Sequence, residues 1–376
     1  MTYPKPSNRR LYWQLQLALL GQLIAIRARA ENQVDYGYEF YQEDAGRMAI
    51  QTHTIYFEQQ LADSLVTKGE LNYDGITGST PRGTVDGNGN VILTSCRDLR
   101  RSENIEFDWR LANHTLSPSF AHSQEDDYQS YGVSLGDAVD FNEKNTTLQY
   151  GVSQNFDEVR LSDDVTWLKK YATEGIISLS QLLSPKAIFD VAVTFGNDSG
   201  DLTDPYRQAG FIPTGFPFSV AVPERRPSHR NKEVLFTSIT QYFDALNASL
   251  EASYRFYHDS YGVYANTIQV TWHQWLGKQF IVEPFIRGYE QSAADFYAVS
   301  FTAPLSANPD GFHSSDYRLS KLFSFDSGLL ATAVINEHVH IVAGYHRYEM
   351  HGMDSQTNPG MYPKANVYTI GFSILW

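Results

Sequence analysis

The chain is poor in cysteine and in positive charge, and each shortage excludes certain kinds of site or binding partner. Cys96 is the only cysteine among 376 residues, so neither an intramolecular disulfide nor a cysteine-based zinc site can form. Lys and Arg number 29 against 43 Asp and Glu, which leaves a net charge of −14. Because phosphate binding needs a basic face, we expect no nucleic acid partner.

Long apolar segments are also lacking. Beyond residue 30, no uncharged apolar run approaches the ~18 residues of a membrane helix. The longest, from Gln208 to Pro223, is broken by prolines. The exported chain is therefore either soluble outside the cytoplasm or a membrane barrel, whose strands need only about 10 residues each. The abundant aromatic residues, 24 Tyr, 22 Phe and 6 Trp, fit a barrel with interfacial girdles.

The first 30 residues have the layout of a secretory signal. Basic residues come first, an uncharged Leu-rich run extends from Leu11 to Ile26, and Ala28 and Ala30 stand at the spacing of a cleavage site. This layout predicts a signal peptide over residues 1–30 and a single exported domain over 31–376. Glutamines dilute the apolar run, and an amphipathic anchor helix is the alternative.

The last residues form the most regular strand pattern of the chain. Apolar residues occupy every second position: Tyr368, Ile370, Phe372, Ile374 and Trp376. Such alternation suits a strand with lipid on one side and a lumen on the other, or an edge strand of a soluble sandwich. Outer-membrane barrels as a class share an aromatic C-terminus, which barrel-assembly machinery is thought to recognise. This segment resembles that C-terminal assembly signal.

Links between candidate strands alternate between short and long. Short turns are expected near residues 61, 112, 141, 184, 244, 276 and 335. Long loops are expected over 76–102, 156–172, 197–232, 292–315 and 351–364. This asymmetry predicts an all-β, antiparallel up-and-down transmembrane barrel of about 16 strands, with short periplasmic turns and long extracellular loops. An even count brings both chain ends to the periplasmic side, where the last strand pairs with the first.

Several strands place charges opposite their apolar face, and strand alternation sends these charges into the lumen. The candidates are Glu106, Asp108, Arg110, Glu251, Arg255, Glu283 and Arg287. The loop sequence LTDPYR adds Asp204, Tyr206 and Arg207, which would narrow the pore if the loop folds inward. Packing on the outer rim is the alternative. Asp316 and Arg318 are expected at a loop-to-strand junction, on one face, paired with lumen charges.

Two motifs suggest other chemistry. His338, His340 and His346 fall on one strand face, and imidazoles at such spacing can share a metal ion. A plain lumen lining is the simpler interpretation, and we assign no metal and no cofactor. His313 and Ser314 suggest an outer-membrane hydrolase. Adjacent strand residues point to opposite faces, which disfavours their cooperation, so we predict that the protein is not an enzyme.

Several segments resemble an uncharacterised family of Gram-negative outer-membrane proteins, known only as a domain of unknown function. They are YQEDAGRM, KGELNYDGITGSTP, GDLTDPYRQAGF, the stretch from Ala252 to Leu276, EPFIRGYEQSAADFY and SSDYRLSK. The resemblance covers essentially the whole exported chain. The family more often carries a Ser-Asp-Pro-Tyr-Lys type of motif, from which Asp201, Thr203 and Arg207 depart. Family genes often lie near those of a small lipoprotein, a thioredoxin-like protein and a flavin transferase.

These observations predict a protein of the Gram-negative outer membrane that contacts outer-membrane lipid. The leading function is a porin-like channel for small solutes or ions, and an acidic lumen favours cations. The alternative is a plugged scaffold barrel, the membrane part of an envelope complex with periplasmic or lipoprotein partners. The family's gene neighbours associate such a complex with redox work.

Overall fold

A computed structural model describes residues 32–160, 166–204, 206–215, 219–302 and 311–376, and most of them lie in β-strands. The predicted signal peptide, residues 1–30, lies outside the described residues. The strands are β1 Gln33–Glu43, β2 Met48–Ala62, β3 Leu65–Val85, β4 Val91–Leu111, β5 His114–Gln124, β6 Tyr128–Phe141, β7 Thr146–Val159, β8 Leu168–Ser184, β9 Ala187–Gly200, β10 Gln208–Ile212, β11 Val220–Pro223, β12 His229–Phe243, β13 Ala248–Asp259, β14 Tyr264–Leu276, β15 Phe280–Gln291, β16 Phe301–Thr302, β17 Leu322–Val334, β18 Val339–Gly352 and β19 Lys364–Leu375.

Short 3-10 helices occupy some of the links between strands. In the described part of the chain they cover Asp44–Gly46, Asn142–Lys144, Asp244–Leu246, Tyr317–Leu319 and Pro359–Met361. None of the described helices is long and apolar enough to cross a membrane.

Sixteen strands form one closed antiparallel barrel, while β10, β11 and β16 form a separate three-stranded sheet. Each barrel strand pairs with its neighbours along the chain, so the topology is up-and-down. Closure is completed by β1 and β19, which pair from Gln33 opposite Leu375 to Glu43 opposite Ala365. The predicted all-β barrel of about 16 strands is confirmed.

The two ends of the described chain meet at the same end of the barrel. Asn32 and Trp376 exchange two backbone hydrogen bonds, at 3.2 and 3.0 Å between nitrogen and oxygen. The expectations that the strand number is even and that the last strand pairs with the first are therefore confirmed. Pairing of the terminal strands removes both edges of the sheet.

Strand alternation separates an apolar outer face from a tightly packed or polar inner one. On β19, Tyr368, Ile370, Phe372 and Ile374 are exposed, as is Trp376 beyond its end, while Val367 on the other face is 1% exposed. On β4, Ile105, Phe107, Trp109 and Leu111 are likewise exposed. Apolar side chains are exposed at every second position, all on one face of the strand. This is the arrangement expected of a lipid-facing wall.

All seven predicted short turns are present, and they lie at one end of the barrel, here called the turn end. The opposite loop end differs from the expectation in two places. The loop expected over 156–172 is shorter, because β7 extends to Val159 and β8 begins at Leu168. Residues 76–102 are not a long loop, because β3 and β4 stay paired as far as Val85 and Val91. Only residues 86–90 connect them. The Gly- and Thr-rich composition of this segment suggests a loop, but cross-strand hydrogen bonding holds it in a hairpin.

The lipid-facing assignment of β19 makes a direct prediction. Ile370→Lys places a charge on the outer face near the middle of the strand, and we expect it to cost about 2–4 kcal/mol of unfolding free energy. Thr369→Lys, one residue away, points into the lumen and is expected to cost much less. Urea unfolding of the barrel in lipid vesicles measures both. Equal losses would show that the outer face of β19 does not meet lipid.

Candidate functional site

Three connections at the loop end fold together into one body, here called the loop plug: the described parts of residues 201–228, 292–321 and 353–363. Its frame is the three-stranded sheet, in which β10 pairs antiparallel with β11 and parallel with β16. The third connection joins through side chains. Tyr297 bonds Thr357, and the Ser320 and Tyr362 hydroxyl oxygens lie 2.7 Å apart.

One side of the loop plug lies against the inner face of β1–β4. Tyr206 packs against a buried cluster of Met48, Ile76 and Cys96, and alternation along β2, β3 and β4 turns these three side chains inward. Arg207 donates a hydrogen bond to the Thr80 hydroxyl at 3.3 Å. These contacts place the loop against the inward-facing side of the β3–β4 hairpin at the loop end.

A close backbone approach at Gly83 fixes this contact. Gly83 has φ +109°, and a Cβ atom there would lie 2.6 Å from the carbonyl oxygen of Gln208. Only glycine tolerates both the backbone angle and the proximity. The end of β3 thus provides a groove for β10.

The loop plug also meets the opposite wall. Tyr317, Met361 and Tyr362 pack against Tyr289 of β15 and Met350 of β18. A second cluster of buried loop residues, centred on Tyr261, Phe296 and Leu319, contacts Tyr257 of β13. The loop plug therefore contacts strands on both sides of the barrel at the loop end.

A buried network of charges joins the two longer connections of the loop plug. Arg226 lies 2.6 Å from Glu224 and 2.8 Å from Asp316. Arg318 pairs with Asp316 and, at 2.5 Å, with Asp204. The backbone N–H of Asp204 donates to Glu224 at 2.8 Å. Charges taken out of water persist only when paired in this way.

Burial and neighbouring charge act in opposite directions within this network. Burial alone would raise the pKa of the Asp316 carboxyl, but the positive charges of Arg318, Arg207 and Arg226 lower it below its ordinary value. The pKa of the Glu224 carboxyl is raised above its ordinary value, because burial raises it more than the positive charge of Arg226 lowers it. Asp316, 1% exposed, is therefore the ionised centre that the arginines surround.

Sequence reasoning named Asp204, Tyr206, Arg207, Asp316 and Arg318, and the structure brings all five into the loop plug. The segment between this loop and β17 contains a 3-10 helix, Tyr317–Leu319, with Asp316 as its N-cap. Glu224 and Arg226 were not identified. They lie between two prolines, in a segment without strand periodicity. The local sequence therefore gives no signal that they meet residues some 90 positions later.

A second charged group lies on the inner face near the turn end. Lys68 of β3 contacts Asp108 at 2.5 Å and Glu106 at 3.3 Å. Arg110 is exposed at the end of β4. The partner lysine was not predicted, although the alternation of β3 places it inward.

A third group links three adjacent strands. His273 of β14 lies 2.5 Å from Glu283 and 3.8 Å from Glu251, each measured between side-chain atoms. Arg255 and Arg287 project from the same wall, each four residues further along its strand than the glutamate. The predicted inward charges on β4 thus lie in a different group from those on β13 and β15.

The three candidate metal-binding histidines do not converge. His338 precedes β18, in a turn, and its ring contacts the carbonyl oxygen of Leu375. His346 faces Asp326 at 2.7 Å, six positions along the strand from His340. Among the described residues, the group with metal-ligand proximity is Asp98, Glu125 and Asp127.

His313 and Ser314 also lack a shared geometry. The His313 ring lies against the carbonyl oxygens of Gly311 and Pro223, at 2.9 and 3.1 Å. Ser314 donates its hydroxyl hydrogen bond to Glu224. The serine therefore belongs to the buried charge network, and its hydroxyl hydrogen bond goes to a carboxylate and not to the His313 ring.

The buried network predicts what holds the loop plug closed. Asp316→Asn removes one charge at almost constant volume and leaves buried arginines uncompensated, so opening should become easier by about 3–5 kcal/mol. Hydrogen exchange of residues 311–321, followed by mass spectrometry, measures the change. Asp244→Asn is the matched control, because it breaks only the exposed turn pair with Lys186. Equal exchange in both variants would contradict the assignment.

Comparison with solved structures supports the fold. The chain is similar to CdiB from Acinetobacter baumannii, with 10% identity and a TM-score of 0.54, covering 92% of this chain and 61% of that one. The chain is also similar to a bacterial polysaccharide outer membrane secretin, with 9% identity and a TM-score of 0.47, covering 93% of this chain and 100% of that one. OpdK of Pseudomonas aeruginosa, solved with vanillate, has 8% identity and a TM-score of 0.45, covering 92% and 98%. At such identities the likeness concerns the fold alone.

Comparison with curated protein sequences gave no match. A family model, in contrast, matches residues 16–171 and 162–374, which together span nearly the whole chain. The chain therefore belongs to the family described as protein of unknown function (DUF3570).

Proposed function

We propose that the protein is a constricted channel of the Gram-negative outer membrane, open to small solutes or ions. One observation carries this proposal: the barrel closes with 16 strands, and barrels of that size enclose more space than their own side chains fill. The loop plug occupies the loop end. Toward the turn end the lumen wall carries half-buried polar and charged side chains, as expected of a wall that meets water.

The charge of that wall favours cations. Carboxylates crowd the inner faces of four adjacent strands near the turn end, with Lys68 among them: Asp35, Glu39, Glu58, Glu70, Glu106 and Asp108. Rings and rows of carboxylates select cations in narrow pores because they replace part of the lost hydration. Six of the 43 acidic residues of the chain thus lie on one lumen wall.

A second candidate rests on the buried charge network of the loop plug. A plug tied to opposite walls, with Asp316 completely enclosed, also suits a closed barrel that serves as a scaffold. Such a barrel would anchor periplasmic or lipoprotein partners at its turn end, with outer-membrane lipid around it. In either case the exposed apolar row of β19 is proposed to be the segment read by the barrel-assembly machinery.

Single-channel recording under a salt gradient tests the channel. Protein lacking residues 1–30, refolded and inserted into a planar bilayer, should give small, steady, cation-preferring current steps. The double substitution Glu106→Gln with Asp108→Asn should shift the reversal potential toward zero, because it removes two lumen carboxylates. Glu143→Gln, in an exposed turn, is the control and should leave it unchanged.

The contrary result is also specific. A bilayer that carries no current, although heat-modified electrophoretic mobility shows a folded and inserted barrel, would overturn the channel and favour the scaffold. Equal reversal potentials in the lumen and turn variants would place the selecting charges elsewhere.

A further inference from the structure

The outer face of β4 changes from apolar to basic along its length. Toward the turn end its outward side chains, from Ile105 to Leu111, are apolar and exposed. Toward the loop end the outward positions include Arg97 and Arg101, which are also exposed. Alternation fixes their direction, because Cys96 and Ser102 beside them are buried on the inner face. Two arginines therefore project from the lipid-facing side of the barrel.

Neither arginine is held by an opposite charge. Among the described residues, the guanidinium groups of Arg97 and Arg101 form no ion pair, hydrogen bond or ring contact. Glu103, at the next outward position, is directed to His122, with 2.8 Å between its Oε1 and the ring Nδ1. Asp98 points to the opposite face, where its carboxylate lies with two others. The outer face of the β3–β4 hairpin thus carries uncompensated positive charge on a chain whose net charge is −14.

The height of the arginines above the turn end matches the headgroup layer of a membrane. Arg101 lies ten positions from Leu111, which at ~3.3 Å per residue is ~33 Å along the strand. Barrel strands tilt by about 35–45°, so the height is ~25 Å, which equals the apolar band of an outer-membrane barrel. Arg97, four positions further, stands ~10 Å higher again. Arg101 therefore lies at the boundary with the headgroups, and Arg97 lies beyond it.

The wall below the arginines offers an apolar surface to acyl chains. Tyr73 of β3 is opposite Arg101 in the strand register, and both Tyr73 and Leu71 are exposed on the outer face. On the other side, Phe120 of β5 is opposite Ile105, and both are exposed. A lipid whose chains lie along this wall has its headgroup beside Arg101.

We propose that the outer face of the β3–β4 hairpin binds lipopolysaccharide through Arg97 and Arg101. The Arg101 guanidinium donates hydrogen bonds to a phosphate of lipid A, and Arg97 donates to an acidic group of the core sugars above it. Guanidinium donors match the paired oxygens of phosphate and carboxylate, and basic side chains at a membrane surface are attracted to anionic lipid. The proposal rests on the outer-membrane location proposed above and does not depend on conduction.

The vertical separation of the two arginines favours this lipid over a phospholipid. A phospholipid carries its phosphate in one layer, next to the acyl chains, so it supplies an anion to Arg101 alone. Lipopolysaccharide continues outward in phosphorylated and acidic sugars, so it supplies anions at both heights. The arginines also lie toward the loop end, which in outer-membrane barrels faces the outside of the cell.

Native mass spectrometry of the folded, detergent-solubilised protein measures binding of each lipid. The ligands are lipid A, lipopolysaccharide with its inner core, the same core-bearing molecule without its phosphates, and phosphatidylglycerol. EDTA is present throughout, so that no divalent cation bridges protein carboxylates to lipid phosphates. Wild-type protein should bind the phosphorylated core-bearing molecule about tenfold more tightly than the phosphate-free one, because Arg101 loses its acceptor.

Two substitutions separate the two heights. Arg101→Gln should weaken binding of both lipid A and core-bearing lipopolysaccharide about tenfold, as loss of a charge-assisted hydrogen bond does. Arg97→Gln should weaken binding of the core-bearing molecule by a similar factor and leave lipid A binding unchanged. Arg110→Gln is the matched control, because it makes the same change at an exposed arginine at the turn end of the same strand. Heat-modified electrophoretic mobility checks that each variant is folded.

Each outcome decides. Equal binding of the phosphorylated and phosphate-free molecules overturns the proposal, as does equal binding by wild type and both arginine variants, or no binding of lipopolysaccharide. Phosphatidylglycerol binding that depends on Arg101, without any effect of Arg97→Gln on lipopolysaccharide, assigns the surface to a phospholipid and also overturns it. Arginine-dependent lipopolysaccharide binding by a barrel that carries no current supports this site while refuting the channel.

Discussion

The structure depends on one constraint: the first and last strands of the barrel must pair. β1 and β19 lie more than 300 residues apart in sequence, yet their backbone hydrogen bonds remove the two edges that a sheet would otherwise present. Inside a lipid bilayer an unpaired backbone N–H or C=O group has no water with which to form a hydrogen bond. A β-sheet can therefore span the membrane only when it is closed into a barrel. On the outer face of the closed sheet, β19 exposes Tyr368, Ile370, Phe372 and Ile374.

Closure leaves an interior that 16 strands cannot fill with their own side chains, and the chain uses its two longest connections to occupy part of it. The loop plug has a small sheet, aromatic contacts with both walls and a buried set of ion pairs. Buried ion pairs contribute little net stability but tolerate little change of partner. Asp316 and its arginines thus specify one arrangement of the connections within a lumen that would accommodate many.

Inward-facing charges are distributed over more than one wall of the barrel. Carboxylates with Lys68 among them lie on the wall of β1–β4. On the wall of β13–β15, Glu251 and Glu283 contact His273, while Arg255 and Arg287 lie further along the same strands. Each wall therefore carries charges of both signs.

The sequence by itself determined the barrel, its even strand number, the seven short turns and the inward face of each charged strand, since all of these follow from a two-residue period and local turn chemistry. It misjudged residues 76–102, whose loop-like composition is overridden by cross-strand pairing. Only the tertiary structure decided which inward charges meet. Arg226 meets Asp316 through loop packing, and Lys68 meets Asp108 through strand register. Local periodicity predicts neither of these contacts, because each depends on segments that only the closed barrel brings together.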